Sequence, residues 1–299
     1  MSQRRRLVLA ANPAAGGGRA ARVIAHVVER LDRAGVDVIL CQESSAEELR
    51  SRLLSELESG PDAVVALGGD GTVHLVMNAL GEKPSCSMGI IPIGTGNDIA
   101  ASWGIPLDTD EAIEHLVTAL GREPRMVDVG VATREGKATF FGGVYSAGFD
   151  AIVNERANAM RFPRGSSRYI LALLIELASL RPRKYTLTLD GVTREQDALL
   201  VAVANGPSFG GGMRVAPDAS LTDGTLDVFV LRPLPRRTFL RIFPKVYSGT
   251  HVSHPAVEIT RAREVSVDVE GIVGYVDGER HGSLPVTVRV NSSALPILA

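Results

Sequence analysis

The sequence predicts two domains of different class: an α/β domain with a parallel sheet over residues 1–130, and a mainly antiparallel β-sandwich over 131–284. Three observations carry this prediction. Up to about Arg125, short apolar runs alternate with segments of helical periodicity, which indicates parallel strands covered on both faces. Beyond Arg125 the runs become short, frequent and often alternate with period two. The 31 glycines gather in clusters between apolar runs, where a low-complexity tract would spread them. A chain of 299 residues, 45% hydrophobic, 22% charged and with formal net charge −2, is long and apolar enough for two cores and is not disordered.

In order, 7–11 reads as a strand, and 20–34 as a helix with Val23, Val27, Val28 and Leu31 on one face. A strand at 36–41 and a helix at 46–58 follow. The apolar run 63–67 is a strand that enters Gly68-Gly69-Asp70-Gly71-Thr72, a helix runs on to Leu80, and 88–91 is a strand before the loop 92–98. In the second half, strands are expected at 127–133, 139–146, 184–189, 198–204, 225–231, 257–259, 265–269 and 286–290. Helical insertions are expected near 151–180 and 235–249. The last strand, within 285–299, fits either domain. No internal repeat and no low-complexity linker is present.

Several classes are excluded. The basic start, Met1 to Arg6, precedes only five apolar residues, too few for a signal-peptide core. The longest apolar run, 169–180, falls short of the roughly 20 residues of a spanning helix and is interrupted by Glu176. A cytoplasmic protein is expected. Near-neutral charge argues against nucleic acid as a partner. Cys41 and Cys86 are too few for a disulfide scaffold. His251 and His254, with no partner cluster, read as loop histidines rather than metal ligands.

Three glycine loops each follow a predicted strand: Asn12-Pro13-Ala14-Ala15-Gly16-Gly17-Gly18, Gly68 to Thr72, and Pro92-Ile93-Gly94-Thr95-Gly96-Asn97-Asp98. In an open parallel sheet, ligands bind beyond the carboxyl ends of the strands. Glycine leaves backbone N–H groups bare and tolerates positive φ, and a following helix adds partial positive charge, so phosphate is the natural ligand. The Walker loop, the G-x-G-x-x-G fingerprint and the G-x-S-x-G elbow are all absent. What remains is a nucleotide user that holds phosphates with backbone and Thr hydroxyls. Asp70 beside a triphosphate implies an intervening magnesium ion.

In these motifs the chain resembles the diacylglycerol kinase-like lipid kinases, in their soluble bacterial branch, which share the NAD kinase/diacylglycerol kinase-like α/β fold. Further matches are Asp128-Val129-Gly130, Ser146 to Asp150, Asn205-Gly206, Gly210 to Gly212, Pro217-Asp218-Ala219, Asp223 to Asp227 and Asp277-Gly278-Glu279, so the resemblance spans nearly the whole chain. It implies that Asn12, Pro13, Ala14, Ala15, Gly16, Gly68, Gly69, Asp70, Gly71, Thr72, Val73, His74, Gly94, Thr95 and Asn97 hold ATP. It implies Glu279 as general base, with Asp70 and Asp98 organising magnesium and phosphates. It also implies a structural Mg²⁺ held by Asp223 and by the carbonyls of Ser220 and Thr225.

The implied activity is ATP- and Mg²⁺-dependent phosphorylation of a lipid hydroxyl, with diacylglycerol giving phosphatidic acid. The rivals are an NAD kinase-like phosphotransferase and a catalytically silent nucleotide- or lipid-binding protein. Two departures stand out: His74-Leu75 replaces the family's Asn-Glu, and Ile99-Ala100-Ala101 replaces Phe-Ala-Arg. A lipid substrate implies contact with a membrane surface. Segment 235–249 offers Phe239, Phe243, Val246 and Tyr247 beside Arg237, Arg241 and Lys245, and 161–184 is an apolar run flanked by basic residues. A homodimer is also compatible with the sequence.

Overall fold

The computed structural model describes residues 4–12, 15–148, 151–153, 155–156, 160, 171–172, 175–176 and 181–299, with backbone alone for 15–22. The chain divides into two units, Met1–Val129 with Asn291–Ala299, and Gly130–Val290.

In the first unit, β1 (Arg5–Ala11), β2 (Val36–Gln42), β3 (Ala63–Gly68) and β4 (Ser87–Pro92) form a parallel sheet in the order β2-β1-β3-β4. The central β3 is buried along its whole length, as expected of a parallel strand covered on both faces. At the edge, β2 is buried only at Val36 and Cys41. Helices α1 (Ala15–Arg33), α2 (Ala46–Leu57), α3 (Asp70–Leu80), α4 (Asp98–Ser102) and α5 (Thr109–Leu120) separate the strands. Two of them start on side-chain caps. Ser45 Oγ accepts from Glu48 N, and Asp108 accepts from the amides of Asp110 and Glu111.

Strand β5 (Arg125–Arg134) leads out of this unit, and the end of β16 (Val286–Ile297) returns to it, placing Ile297 parallel beside Met88. The buried Asp128 carboxylate accepts the Ser293 amide at 2.7 Å. Asp128 is thus occupied in fastening the chain's last strand.

The second unit contains two antiparallel arrangements. One sheet runs β12 (Val257–Ala262), β11 (Leu226–Leu231), β10 (Leu200–Ala204), β7 (Val144–Gly148), β14 (Val273–Val276), β15 (Glu279–Ser283). In the other, β13 (Glu264–Asp268) lies between the start of β16 and β8 (Arg183–Leu189), which pairs with β9 (Val192–Ala198). Here β5 also pairs with β6 (Lys137–Phe141). Period two decides the packing of β10. Val201 and Val203 join Tyr185, Leu187, Val265 and Val267 in one core, while Ala202 and Ala204 join Phe229, Leu231 and Phe239 in a second.

Several expected elements take a different form. The strand expected over 139–146 is two strands, β6 and β7, parted at Gly142-Gly143 and assigned to different sheets. Strands β9, β14 and β15 lie outside the expected set, β9 and β15 because they are polar, and β14 because it is only four residues long and broken by Gly274. Asp-Gly dipeptides stand at two of their turns. Asp190-Gly191 and Asp277-Gly278 both have positive φ at both residues, as a two-residue hairpin of type I′ requires. The helix expected over 235–249 is α6 (Arg236–Ile242) followed by a 3-10 turn, Phe243–Val246. Pro244 has no N–H to donate to the carbonyl four residues back, so the α-helix ends there. The insertion 161–184 falls largely outside the described residues.

Candidate active site

In the first unit, the turns after β3 and β4 press backbone against backbone. A methyl group on Gly94 would come within 2.5 Å of Gly69 Cα, and one on Gly68 within 2.2 Å of Thr72 Oγ1. Gly69 has φ −100°, so close approach, not positive φ, requires glycine here. Asn97 closes the second turn. Its Oδ1 accepts from Gly94 N at 3.0 Å, its Nδ2 donates to Gly94 O at 3.1 Å, and its own φ is +57°. Both ends of the Asn97 carboxamide are therefore engaged in shaping the turn. Asp70 joins the two turns through Oδ1, which accepts from Ile99 N at 3.1 Å.

The helices begin inside these motifs. Asp70, Gly71, Thr72, Val73 and His74 lie in α3, and Ala15 and Gly16 belong to the first turn of α1. The consequence is electrostatic: helix amino-termini, with unpaired N–H groups and partial positive charge, follow the ends of adjacent parallel strands. Pro13 and Ala14 lie outside the described residues. Asp98 opens α4 and is buried, whereas Thr95 is exposed. A cleft of about 350 Å³ lies beside the second turn, lined by Val23, Pro92, Ile93, Gly94, Asn97, Leu107 and Thr109. Its size suits a small-molecule ligand. Leu107 and Thr109 flank the Asp108 cap of α5, a contribution that the glycine motifs did not signal.

In the second unit, Glu279 opens β15 directly after the Asp277-Gly278 turn and is exposed. The Asp277 carboxylate accepts from the amides of Gly142, Gly143 and Val144 at 2.9–3.0 Å. The carbonyl of Gly143 accepts from Asn205 N and Gly206 N, and Asn205 Nδ2 donates to Gly142 O. Two separate sequence motifs thus meet at Gly142-Gly143, a dipeptide that had read as mid-strand. Beyond the turn, Glu155 Oε1 accepts from Tyr275 Oη at 2.6 Å and from Arg280 Nε at 2.9 Å, which braces both strands of the hairpin bearing Glu279. The Tyr275 hydrogen bond and Arg280 hold the Glu155 carboxyl below its usual range.

Ser220, Asp223 and Thr225 share one turn. Asp223 Oδ1 accepts from Thr225 N at 3.0 Å and Thr225 Oγ1 at 2.8 Å, while Oδ2 lies 3.8 Å from Arg261. Burial pushes the Asp227 carboxyl up; the Arg261 charge opposes this, and the charges of Asp223 and Asp218 add to it. Arg261 partly offsets the repulsion among these carboxylates, and the hard oxygens of the turn are of the kind a divalent cation prefers. Among the described residues no three His, Cys, Asp or Glu side chains group as a metal site.

The same unit holds a cavity of about 70 Å³ whose walls are almost wholly apolar. Phe209, Met213 and Phe229 form part of it, and Phe239, Phe243 and Val246 of the α6 segment form another part. The stripe of Phe239, Phe243 and Val246 therefore faces inward; Phe239 and Phe243 stack at 5.6 Å. His251 is the polar exception, with Nε2 at 3.3 Å from Val215 O and a buried Nδ1 without a hydrogen-bond partner. Burial lowers its pKa, so the ring is neutral. His254 Nδ1 accepts from Ala256 N within its own turn.

Glycine turns at the carboxyl ends of parallel strands, followed in the chain by antiparallel sheets, suit an enzyme that handles phosphate. Comparison with known proteins assigns the family. Residues 6–132 match the diacylglycerol kinase catalytic domain, and 143–299 match the YegS C-terminal NAD kinase beta sandwich-like domain. A diacylglycerol kinase of Mycobacterium tuberculosis (strain CDC 1551 / Oshkosh) is 38% identical over 96% of this chain and 93% of its own length. The chain belongs to the diacylglycerol kinase-like lipid kinase family. A diacylglycerol kinase structure from Bacillus anthracis shares the fold, with TM-score 0.73 and 20% identity over 100% of this chain and 97% of that one. An ATP-complexed NAD kinase from Archaeoglobus fulgidus superposes with TM-score 0.52 and 14% identity over 98% and 92%, again a likeness of fold.

Proposed function

We propose that this lipid kinase transfers the γ-phosphoryl group of ATP, with Mg²⁺, to the free hydroxyl of diacylglycerol. The observation that carries the reading is the close pair of turns, Gly69 on Gly94, at the carboxyl ends of β3 and β4. A bulkier residue at either position would keep a phosphate chain away from the backbone amides. The lipid hydroxyl oxygen bonds to the γ-phosphorus, the bond from that phosphorus to the bridging oxygen breaks, and the products are phosphatidic acid and ADP. Glu279 is assigned as the base that accepts the hydroxyl proton, and an exposed carboxylate on a braced hairpin suits that task.

The glycine turns and the amino-termini of α1 and α3 bind the nucleotide, with Asp70 and Asp98 beside the phosphates. Asp223, with the carbonyls of Ser220 and Thr225, would hold a structural Mg²⁺, its charge relieving the repulsion among Asp218, Asp223 and Asp227. When bound at the phosphates, Mg²⁺ supplies the charge neutralisation that phosphoryl transfer needs.

The test is incubation with labelled ATP and Mg²⁺ in the presence of diacylglycerol, of NAD, or of a total lipid extract. Label is expected in phosphatidic acid. Label in a phosphorylated dinucleotide, or no transfer to any lipid, would overturn the reading. Glu279→Gln should lower turnover roughly 10²- to 10⁴-fold with nucleotide binding nearly unchanged. Full activity of that variant would remove Glu279 from the chemistry.

A further inference from the structure

A kinase whose acceptor lies in a bilayer has to find that bilayer, and the α6 segment presents two unlike faces. The inner face, Phe239, Ile242, Phe243 and Val246, closes the apolar cavity. The outer face leaves Leu240 49% and Tyr247 52% exposed, large apolar groups that no packing need accounts for. Arg236, Arg237, Arg241 and Lys245 flank them and are exposed. None of these four has an ion-pair partner among the described residues. No Asp or Glu occurs between Asp227 and Glu258. Arg214 adds a fifth cation at the segment's end, where its amide donates to Val246 O at 3.0 Å.

Unpaired cations around exposed apolar side chains are unusual in a molecule of net charge −2, because they leave both the charge and the hydrocarbon in water. One partner satisfies both. An anionic bilayer surface offers fixed negative charge at the headgroups and an apolar layer just below. A nucleic acid would satisfy the charges but not Leu240. We infer that the outer face of α6 and the 3-10 turn after it docks this kinase on anionic membrane, with Leu240 and Tyr247 entering the headgroup layer and the basic residues meeting lipid phosphates. The inference rests on the reading that the acceptor is a membrane lipid. It adds where the protein meets that membrane: at the segment that also walls the apolar cavity. Four or five basic side chains near such a surface give useful but reversible attachment.

The test uses the full chain and sedimentation with vesicles free of diacylglycerol, either of phosphatidylcholine alone or with roughly one third phosphatidylglycerol. Binding is expected to the anionic vesicles only, and should vanish near 1 M salt, where the Debye length is about 3 Å. Arg237→Glu with Arg241→Glu should weaken it roughly 10-fold or more. Leu240→Ser with Tyr247→Ser should weaken it while sparing the salt dependence. Each variant should keep its thermal midpoint and its turnover on a short-chain diacylglycerol dispersed without vesicles. Undiminished vesicle binding by both variants would overturn the proposal, as would equal affinity for neutral vesicles. A concentration-dependent dimer abolished by the same substitutions would assign the face to a second copy and overturn it too. Vesicle binding without turnover on dispersed diacylglycerol would instead count against the proposed acceptor and leave the docking face standing.

Discussion

At the scale of single residues, glycine acts in two physically different ways in this chain. Gly278 and Gly191 adopt φ of +86°, which the two-residue turns demand. Gly94 is needed because a neighbouring main chain occupies the space of a side chain. Gly94→Ala therefore puts its methyl 2.5 Å from Gly69 Cα and 2.7 Å from Asn97 Oδ1, with no flexible side chain to yield. We expect it to cost about 1–3 kcal/mol in denaturant unfolding and to raise KM for ATP more than it lowers kcat. Unchanged stability and KM would show that the turns can separate freely. Gly94 and Gly278 each stand in a sequence motif, but the motifs could not distinguish the two reasons. That distinction depends on which strand ends lie side by side.

At the scale of elements, the hairpin of β14 and β15 shows how an apparently functional motif is also a structural one. Asp277 spends its carboxylate on three amides around Gly142-Gly143, at the point where β6 gives way to β7. Asp277→Ala leaves those amides without their acceptor. We expect it to destabilise the protein by about 2–4 kcal/mol, and to lower turnover by loosening the hairpin that carries Glu279. A thermal midpoint equal to that of the native chain would refute this role. The Asp-Gly pair was legible as a turn. Its long-range partners were not, since they lie more than 130 residues away and look like an unbroken β run in the sequence. Pro244 is the converse case: its effect on α6 is local, and the end of the helix follows from it directly.

At the scale of the whole molecule, each unit has its own buried core, and one titratable group links the second unit's stability to pH. His251 is buried against Phe229 and held neutral, its pKa below the ordinary 6.5. The unfolded chain therefore binds a proton more readily than the folded one once pH falls below that value. Stability attributable to His251 is complete above about pH 6.5 and is lost as pH falls toward the depressed folded value. The thermal midpoint of the native chain should fall more steeply through mildly acidic pH than that of His251→Leu. Parallel pH profiles for the two proteins would exclude the histidine as the cause. Among the described residues no helix is long and apolar enough to cross a membrane. On α6 and the turn after it, exposed basic side chains and the exposed apolar Leu240 and Tyr247 coincide.

The sequence by itself determined the alternation of parallel strands and helices, the change to β-sandwich near residue 130, the three glycine motifs and the turn chemistry of Asp277-Gly278. Each of these is a local property of spacing, φ or hydrophobic period, readable over a few residues. Only the tertiary structure decided that Gly69 and Gly94 abut, that Asn97 and Asp128 serve the backbone, and that Phe239 and Phe243 face a cavity while Leu240 and Tyr247 face water. Those outcomes depend on contacts between segments far apart in the chain. An amphipathic helix specifies that it has two faces, but packing against the sheet selects which of them is buried.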